Sequence, residues 1–160
     1  AEIADLPGIS IALVGEGPSR DEIAALLPRA HFLGRQEGAT LAHSYASFDI
    51  FCHTGTKETF GQTLQEAMAS RLPVVAPAAG GPLDIVKPGV TGLLFNPDAS
   101  GSLRQSIGTL VSDEAMRERM GASGARKMAG RSWNGMTQRL LDYYASVIAG
   151  SRARSVSRAA

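Results

Sequence analysis

Residues 49–70 read DIFCHTGTKETFGQTLQEAMAS, a short apolar run followed by a turn and then by an amphipathic stretch. The apolar run Asp49–His53 is brief and has no helical periodicity, which is typical of a buried strand, whereas Gly61–Ser70 has the apolar spacing of a helix. A strand that leads into a helix is one unit of an alternating α/β fold. The stretch therefore predicts a strand, a loop and a helix, in that order.

The same alternation extends on both sides of this unit. The further predicted strands are Ser10–Val14, His31–Leu33, Pro73–Ala76 and Gly92–Phe95. The further predicted helices are Ser19–Leu27, Thr40–Phe48, a short one near Pro82–Val86, Ser100–Ser112, Asp113–Met128 and Trp133–Ala149. Strands and helices that alternate at this spacing predict an α/β fold, with a Rossmann-like parallel sheet and helices on both of its faces.

Length and composition indicate one globular domain of ordinary size. The chain has 160 residues, of which 44% are hydrophobic and 19% are charged, and its formal net charge is +1. Ser151–Ala160 contains three arginines and no acid, so we expect residues 1–150 to form the domain and residues 151–160 to form a basic disordered tail. Without that tail no basic excess remains, which argues against a nucleic-acid-binding protein.

The cysteine and histidine content predicts neither a disulfide nor a metal site. Cys52 is the only cysteine, and its apolar neighbours indicate a buried side chain rather than a nucleophile. His31 and His43 have no partner at metal-ligand spacing. No signal peptide opens the chain, so we expect a cytoplasmic protein and leave open its attachment to the inner face of the plasma membrane.

The residues after the strand at 49–53 contain the main candidate site. Ligands of open α/β sheets bind beyond the carboxyl ends of the strands, close to helix N-termini. Free N–H groups around Gly61–Leu64 would suit a diphosphate, and a glycine at this place would let the diphosphate approach the backbone. The carboxylates of Glu58 and Glu66 could accept hydrogen bonds from the hydroxyls of a sugar and of a ribose.

Two turns at other strand ends are further candidates. Gly15 and Gly17 follow the first strand and permit a tight turn with close backbone approach of a ligand. Gly34 and Arg35 end the second strand, where a flat base could lie against the glycine and stack on the guanidinium. An ordinary strand-to-helix turn and an exposed surface arginine are the structural alternatives.

Structural explanations also apply to the remaining positions. Thr59 and Gln62 have the spacing of a capping box, which would make their loop a plain helix start. Gly80 and Gly81, after the fourth strand, either admit a ligand or form a turn into the short helix. We interpret His53, which follows a strand beside the same crevice, as a hydrogen-bonded structural histidine.

In their order along the chain, these segments resemble the C-terminal, donor-binding half of family 4 glycosyltransferases, which are retaining enzymes of the GT-B fold. The shared motifs are Gly-x-Gly-Pro at Gly15–Pro18, Phe-Leu-Gly at Phe32–Gly34, Glu-x7-Glu at Glu58 and Glu66, Pro-Val-Val-Ala with Gly-Gly at Pro73–Gly81, and Gly-Val-Thr-Gly-Leu-Leu at Gly89–Leu94. The sequence His-Thr-Gly…Glu-Thr-Phe-Gly-Gln is most similar to the corresponding motif of actinobacterial GDP-mannose-dependent α-mannosyltransferases.

The resemblance implies a donor site without a metal ion on the diphosphate. It also implies no cofactor, because the nucleotide sugar, here GDP-mannose, is a substrate. It implies that Glu58, as the catalytic residue, contacts the donor sugar and that Glu66 contacts the ribose. The implied donor-binding residues are Gly15, Gly17, Gly34, Arg35, Glu58, Phe60, Gly61, Gln62, Thr63, Leu64 and Glu66. Catalysis at such a site rests on stabilising charge on the leaving diphosphate and on the oxocarbenium-like sugar, and not on a protein nucleophile.

The resemblance also implies that parts of the enzyme lie outside this chain. The acceptor domain, normally N-terminal, and the first strand of the donor domain are absent, so we expect the chain alone to transfer no sugar. The parent protein would bind a glycan or glycolipid acceptor through that domain, with peripheral contact to a membrane. Two alternatives stay open: an epimerase-like enzyme that does not transfer sugar, and a non-catalytic module that binds nucleotide or protein. Trp133, Tyr143 and Tyr144, on the last predicted helix, are expected to pack rather than to form an interaction surface.

Overall fold

The computed structural model of the chain describes residues 2–131 and 133–157, and the side chains of residues 2–131 and 134–150. The strands are β1 (Ala12–Leu13), β2 (His31–Phe32), β3 (Phe51–Cys52), β4 (Val74–Pro77) and β5 (Gly92–Phe95). The helices are α1 (Arg20–Leu26), α2 (Gly38–Ala46), α3 (Gln62–Ala69), α4 (Pro82–Ile85), α5 (Ser102–Ser112), α6 (Glu114–Ala129) and α7 (Trp133–Ser157). Every predicted strand and helix is present in the predicted order, which confirms the α/β class.

The strands are all parallel, but they form two sheets rather than one. β1 pairs with β2, with Ala12 opposite His31, and β4 lies between β3 and β5, with Val74 opposite both Phe51 and Gly92. The predicted Rossmann-like parallel arrangement is therefore confirmed, but it is divided, since no hydrogen-bonded ladder joins β1 to β3 within the described residues. A doubly wound sheet without its central strand would be divided at this place. The absence of a first strand stays a prediction.

β4 is the centre of the core, and its two faces bury different clusters. All four of its residues are buried, as expected of a parallel strand covered on both sides. Val74 and Ala76 belong to a cluster built mainly from α2, α3 and α4, whereas Val75 belongs to a cluster built from β5, α5 and α6. Helices therefore cover both faces of the three-stranded sheet, as predicted.

Helix α3 is held in place by close contact with α6. A Cβ atom at Gly121 of α6 would overlap the backbone carbonyl oxygen of Arg71, just beyond the end of α3. One turn further along α6, the Cα of Gly124 faces Met68, which is fully buried. The absence of side chains at these two glycines lets α6 pack directly on the helix that follows the candidate site.

Helix α7 differs in two ways from the expectations for the end of the chain. It runs to Ser157, so the backbone at 151–157 is helical where we expected disorder, and residues 158–160 lie outside the described part. Tyr143 and Tyr144 are 68% and 58% exposed, so they do not pack as predicted, and the side chain of Trp133 lies outside the described residues. The reason is that the described residues supply no surface opposite them. No helix in the described part is long and apolar enough to cross a membrane.

Candidate functional site

The loop between β3 and α3 is organised around the carboxylate of Glu58. Its Oε1 accepts three backbone hydrogen bonds, from the N–H groups of Thr59 at 2.9 Å, Phe60 at 3.0 Å and Gly61 at 2.8 Å. These bonds, the one from Gly61 first, hold the pKa of the Glu58 carboxyl below its ordinary value. The side chain is therefore a fixed negative charge at the carboxyl end of β3, and its second oxygen has no partner among the described residues.

Gly61 is required by the backbone and by packing, which differs from the reason given by the sequence. Its φ is +62°, in the left-handed region, and a Cβ atom would overlap Cδ1 of Ile85 in α4. The expectation was that a glycine opens the way for a ligand. In the structure Cδ1 of Ile85 occupies the space beside the Cα, so the glycine makes room for this side chain.

The start of α3 presents free backbone donors, as predicted. Gly61 is the N-cap and provides no side-chain acceptor, and the capping box considered for Thr59 and Gln62 is not formed. Within the described residues, no hydrogen bond engages the N–H groups of Gln62, Thr63 or Leu64. Three aligned donors at a helix N-terminus favour an anion with several oxygens.

Glu66 lies one turn into α3 on the Gln62 face, as expected. Its Oε2 accepts a hydrogen bond from the hydroxyl of Tyr45 at 3.2 Å, and its Oε1 accepts one from Nε2 of Gln62 at 3.0 Å. Burial and, second, the charge of Glu66 raise the pKa of the Tyr45 phenol, so Tyr45 stays a hydrogen-bond donor at neutral pH. Each carboxylate oxygen keeps further capacity to accept a bond from a ligand hydroxyl.

Gly80 and Gly81 support the Glu58 loop rather than admit a ligand. The N–H of Gly81 donates to the carbonyl oxygen of Glu58 at 2.8 Å. A Cβ at Gly80 would lie 2.8 Å from that same oxygen, and one at Gly81 would lie 2.5 Å from the carbonyl oxygen of Thr59. The paired glycines thus let the two loops touch through their backbones. A sequence motif cannot reveal this contact, because it depends on how β3 and β4 lie side by side.

The turns after β1 and β2 meet each other. Gly15, with φ +129°, donates its N–H to the carbonyl oxygen of Gly34, with φ +69°, at 2.8 Å. Gly17 has an ordinary φ and accepts the N–H of the first residue of α1 through its carbonyl. Among the described residues, no hydrogen bond or ion pair connects these turns to the Glu58–Glu66 segment.

The guanidinium of Arg35 is engaged by a neighbouring acid. Its Nε donates to Oε1 of Glu37 at 2.8 Å, and both side chains are largely exposed. An exposed arginine was the structural alternative, and this pairing favours it. Stacking on a base would require Arg35 to leave Glu37, which costs little because exposed ion pairs are weak.

His53 is not the hydrogen-bonded structural histidine that we expected. Its backbone N–H donates to the carbonyl oxygen of Val75 at 2.9 Å, which fixes the residue at the end of β3. Its side-chain Nε2 is buried and has no hydrogen-bond partner within the described residues. Such an atom is unusual in a folded protein.

A cavity of about 200 Å³ lies beside Glu66, on the exposed side of α3. It is lined by Phe60, Gln62, Gln65, Glu66, Ala69, Met128, Arg131 and Met136. Nη1 of Arg131 donates to Oε1 of Gln65 at 3.3 Å across this space. No local sequence pattern shows that the junction of α6 and α7 returns to α3, so Met128, Arg131 and Met136 were not predicted.

The remaining polar side chains do not assemble a metal centre. No three histidine, cysteine, aspartate or glutamate side chains lie together in the described part of the chain. Cys52 is packed against the Val75 cluster, and burial raises the pKa of its thiol to about 11. The thiol is therefore protonated at neutral pH, as the interpretation of Cys52 as an apolar core residue requires.

The profile of the family described as "Glycosyl transferases group 1" matches residues 2–127. A curated relative, the GDP-mannose-dependent alpha-mannosyltransferase of Mycolicibacterium smegmatis, is 40% identical over 149 residues, which cover 92% of this chain and 39% of the relative. The chain thus spans well under half of that relative's length.

Two solved structures have the same architecture. Sucrose-phosphate synthase from Thermosynechococcus elongatus superposes with a TM-score of 0.81 at 26% identity, over 93% of this chain and 41% of that one. Anabaena HepE in complex with UDP superposes with a TM-score of 0.75 at 30% identity, over 91% of this chain and 43% of that one. In both structures, the similar region is again less than half of the longer chain.

Proposed function

This chain belongs to the group 1 glycosyl transferases, and on that premise we propose that it is the donor-binding part of a protein that transfers mannose from GDP-mannose with retention of configuration. One observation carries the proposal. Two carboxylates, Glu58 and Glu66, flank a helix start whose N–H groups at 62–64 have no partner among the described residues. A nucleoside diphosphate sugar has hydroxyls at both ends and a dianion in the middle, which matches this order of groups.

The diphosphate would bind at the start of α3. Its oxygens accept hydrogen bonds from the N–H groups of Gln62, Thr63 and Leu64, and they lie at the positive end of the helix dipole. Leu64 is fully buried whereas Gln62 and Thr63 are exposed, so the N–H groups of those two residues would meet the diphosphate first. When the bond to the sugar breaks, negative charge grows on the diphosphate, and preorganised donors then stabilise the transition state more than the ground state.

The two carboxylates would bind the ends of the donor. All three loop N–H groups bond Oε1 of Glu58, so Oε2 accepts a hydrogen bond from a sugar hydroxyl while the loop stays in place. Its negative charge also favours the positive charge that develops on the sugar ring. Glu66, oriented by Tyr45 and Gln62, accepts bonds from the ribose hydroxyls.

The nucleobase would lie over the turn that contains Gly34. The backbone there is open, since a Cβ at this residue would meet only Oε1 of Glu16, at 3.6 Å. Arg35 provides a planar cation once it leaves Glu37. Guanine is preferred here only because a GDP-mannose-dependent enzyme is among the curated relatives.

The acceptor would be a glycan or glycolipid that binds outside this chain. The curated relative is more than twice as long as the matched region, which leaves room for a second domain across the crevice. In the parent protein, the acceptor hydroxyl would attack the sugar on the face that the diphosphate leaves, without a protein nucleophile. We place this reaction in the cytoplasm, with peripheral contact to the membrane that holds a lipid acceptor.

A transfer assay on the longer parent protein tests the proposal. The protein is incubated with lipid and glycan acceptors and with radiolabelled GDP-mannose, GDP-glucose or UDP-glucose, and the linkage of the product is determined. We expect transfer from GDP-mannose to form an α-linked product, and we expect Glu58→Gln to lower turnover at least 100-fold, as loss of a transition-state contact to a charged group does. Donor binding without any product would favour a non-catalytic module, and epimerised free donor would favour an epimerase.

A further inference from the structure

Helix α2 contacts two separate segments of the candidate site through adjacent residues. Oγ of Ser44 donates to Oε1 of Gln36 at 3.3 Å, and Nε2 of Gln36 donates to the carbonyl oxygen of Leu33 at 3.1 Å, in the turn after β2. The hydroxyl of the next residue, Tyr45, donates to Oε2 of Glu66 in α3 at 3.2 Å. The helix therefore lies between the turn after β2 and the carboxylate of Glu66, and it is bonded to both.

The side chain of Tyr45 is held inside the core. It is 6% exposed, and it packs in the cluster that covers one face of β4. Its ring lies against that of Phe51 in β3, with 5.7 Å between the ring centroids. Burial and the nearby charge of Glu66 raise the pKa of the phenol, so the hydroxyl keeps its proton. Tyr45 thus offers a hydrogen-bond donor at a fixed position in the fold.

Glu66, in contrast to Tyr45, borders open space. It lines the cavity of about 200 Å³ together with Gln62 at the start of α3, whereas Tyr45 is not among the residues that line it. The two oxygens of Glu66 are bonded separately, Oε2 by Tyr45 and Oε1 by Nε2 of Gln62 at 3.0 Å. Gln62 belongs to the same helix as Glu66, so the bond from Tyr45 is the one that ties this carboxylate to another element.

We propose that Tyr45 is a positioning residue for the ribose of the donor, because it holds the carboxylate of Glu66 in the orientation that accepts both ribose hydroxyls. This inference rests on the proposed function, which takes the ribose to lie at Glu66. Two neighbouring hydroxyls bond one carboxylate well only when its oxygens already face them. A carboxylate that is free to turn loses that freedom on binding, so fixing it beforehand increases affinity. The bond of Ser44 to Gln36 places the same helix against the turn that would receive the base.

Binding of GDP and of 2′,3′-dideoxy-GDP tests this role, because the two ligands differ only in the ribose hydroxyls. Their dissociation constants are measured by amide-shift titration for the wild-type chain and for Tyr45→Phe, which keeps the buried ring and removes the hydroxyl. We expect Tyr45→Phe to weaken GDP binding about fivefold to tenfold and to leave dideoxy-GDP binding within about twofold. Tyr143→Phe, at a tyrosine that is 68% exposed, is the matched control and should change neither constant.

A double-mutant cycle tests whether Tyr45 acts through Glu66. Glu66→Ala removes the carboxylate and should itself weaken GDP binding. If the hydroxyl of Tyr45 serves only to orient that carboxylate, adding Tyr45→Phe to Glu66→Ala should change GDP affinity by less than about twofold. An equal loss on Tyr45→Phe with and without the carboxylate would mean that the hydroxyl acts elsewhere, and it would overturn the inference.

The comparison also separates the inference from a structural role. The hydroxyl of Tyr45 lies 3.4 Å from the carbonyl oxygen of Thr63, in the first turn of α3. If its purpose were to hold this turn, Tyr45→Phe would disturb the diphosphate site, and both nucleotides would bind more weakly. Equal loss of the two affinities, or no loss of either, overturns the role of Tyr45 and leaves the proposed function standing. Absence of GDP binding by both the wild-type chain and its longer parent protein overturns the proposed function, and this inference with it.

Discussion

At the scale of single residues, the side chain of Glu58 both holds the loop of the site in place and gives it a negative charge. Three N–H groups converge on one of its oxygens, so the loop cannot keep this shape without an acceptor there. The same bonds keep the carboxyl ionised, because they stabilise its charged form. The contribution of Glu58 to the stability of the folded chain must therefore depend on pH.

The charge of Glu58 predicts a pH-dependent stability difference. The folded chain lowers the pKa of this carboxyl from its ordinary value of 4.5, so its contribution is present above that pH and is lost as the pH falls through the lower folded value. We expect Glu58→Gln to melt a few degrees below the wild type at pH 7, and we expect the two melting temperatures to approach each other as the pH falls below 4.5. Circular dichroism at several pH values measures this difference. The exposed Glu118→Gln should show no comparable effect, and a gap that widens on acidification would refute the argument.

Gly61 gives a second prediction at this scale. Gly61→Ala meets two obstacles, a left-handed φ and overlap with Ile85, whereas Gly89→Ala has φ +74° and no atom within 4 Å of the added Cβ. We expect Gly89→Ala to cost about 1–2 kcal/mol of unfolding free energy and Gly61→Ala to cost about 1–3 kcal/mol more. Urea unfolding of both variants measures the difference. Equal losses would mean that the contact with Ile85 is not tight.

The sequence could predict the Gly61 position as special, but not why. A glycine before a helix that follows a strand is a local signal. Ile85 lies in a different helix, so its overlap with a side chain at 61 is a tertiary effect. The same limit applies to His53, whose lack of a hydrogen-bond partner depends on every group around the ring.

At the scale of elements, the order of strands and helices could be predicted because each apolar run is short and most of the runs have glycine or proline at one end. Gly92–Phe95 agrees with its prediction at both ends, since the strand is paired along its whole length. The division into two sheets could not be predicted from local patterns, because pairing depends on which strands are neighbours in space. The contact of Gly80 and Gly81 with the Glu58 loop was missed for the same reason.

Two glycines in helices should respond in opposite ways to the same substitution. Gly121→Ala in α6 would force the Cβ into the carbonyl oxygen of Arg71 and push α6 away from α3, whereas Gly108→Ala in α5 adds a Cβ into open space. We expect Gly108→Ala to stabilise the chain by about 0.5–1 kcal/mol and Gly121→Ala to destabilise it by about 1–3 kcal/mol. Chemical denaturation of both variants checks the signs. A stabilising Gly121→Ala would show that α6 does not pack as described.

At the scale of the whole molecule, the described residues include the groups that we propose to bind the donor, and the chain spans only part of its relative's length. The chain covers 39% of the M. smegmatis relative, and the turns after β1 and β2 are not connected to the Glu58–Glu66 segment by any described hydrogen bond. Transfer requires an acceptor held against the donor sugar in a geometry that excludes water. On the proposed function, the surface that holds the acceptor would belong to the longer parent protein.

The chain of 160 residues alone should therefore transfer no sugar. We expect no radiolabelled product from GDP-mannose in the presence of acceptors that the parent protein uses, because no second surface orients the attacking hydroxyl. The parent protein at equal concentration is the control. Sugar transfer by the chain alone would contradict this expectation and would place the acceptor site within these residues.

The central claim, that the carboxyl ends of the strands bind a nucleoside diphosphate sugar, is tested most directly by titrating the amide resonances of this chain with GDP, GDP-mannose and UDP. We expect shifts confined to the segments around Gly15, Gly34 and Glu58–Glu66, larger for GDP than for UDP, with additional shifts around Glu58 when mannose is present. Shifts confined to other faces, or none at millimolar nucleotide in either this chain or its parent protein, would contradict the account.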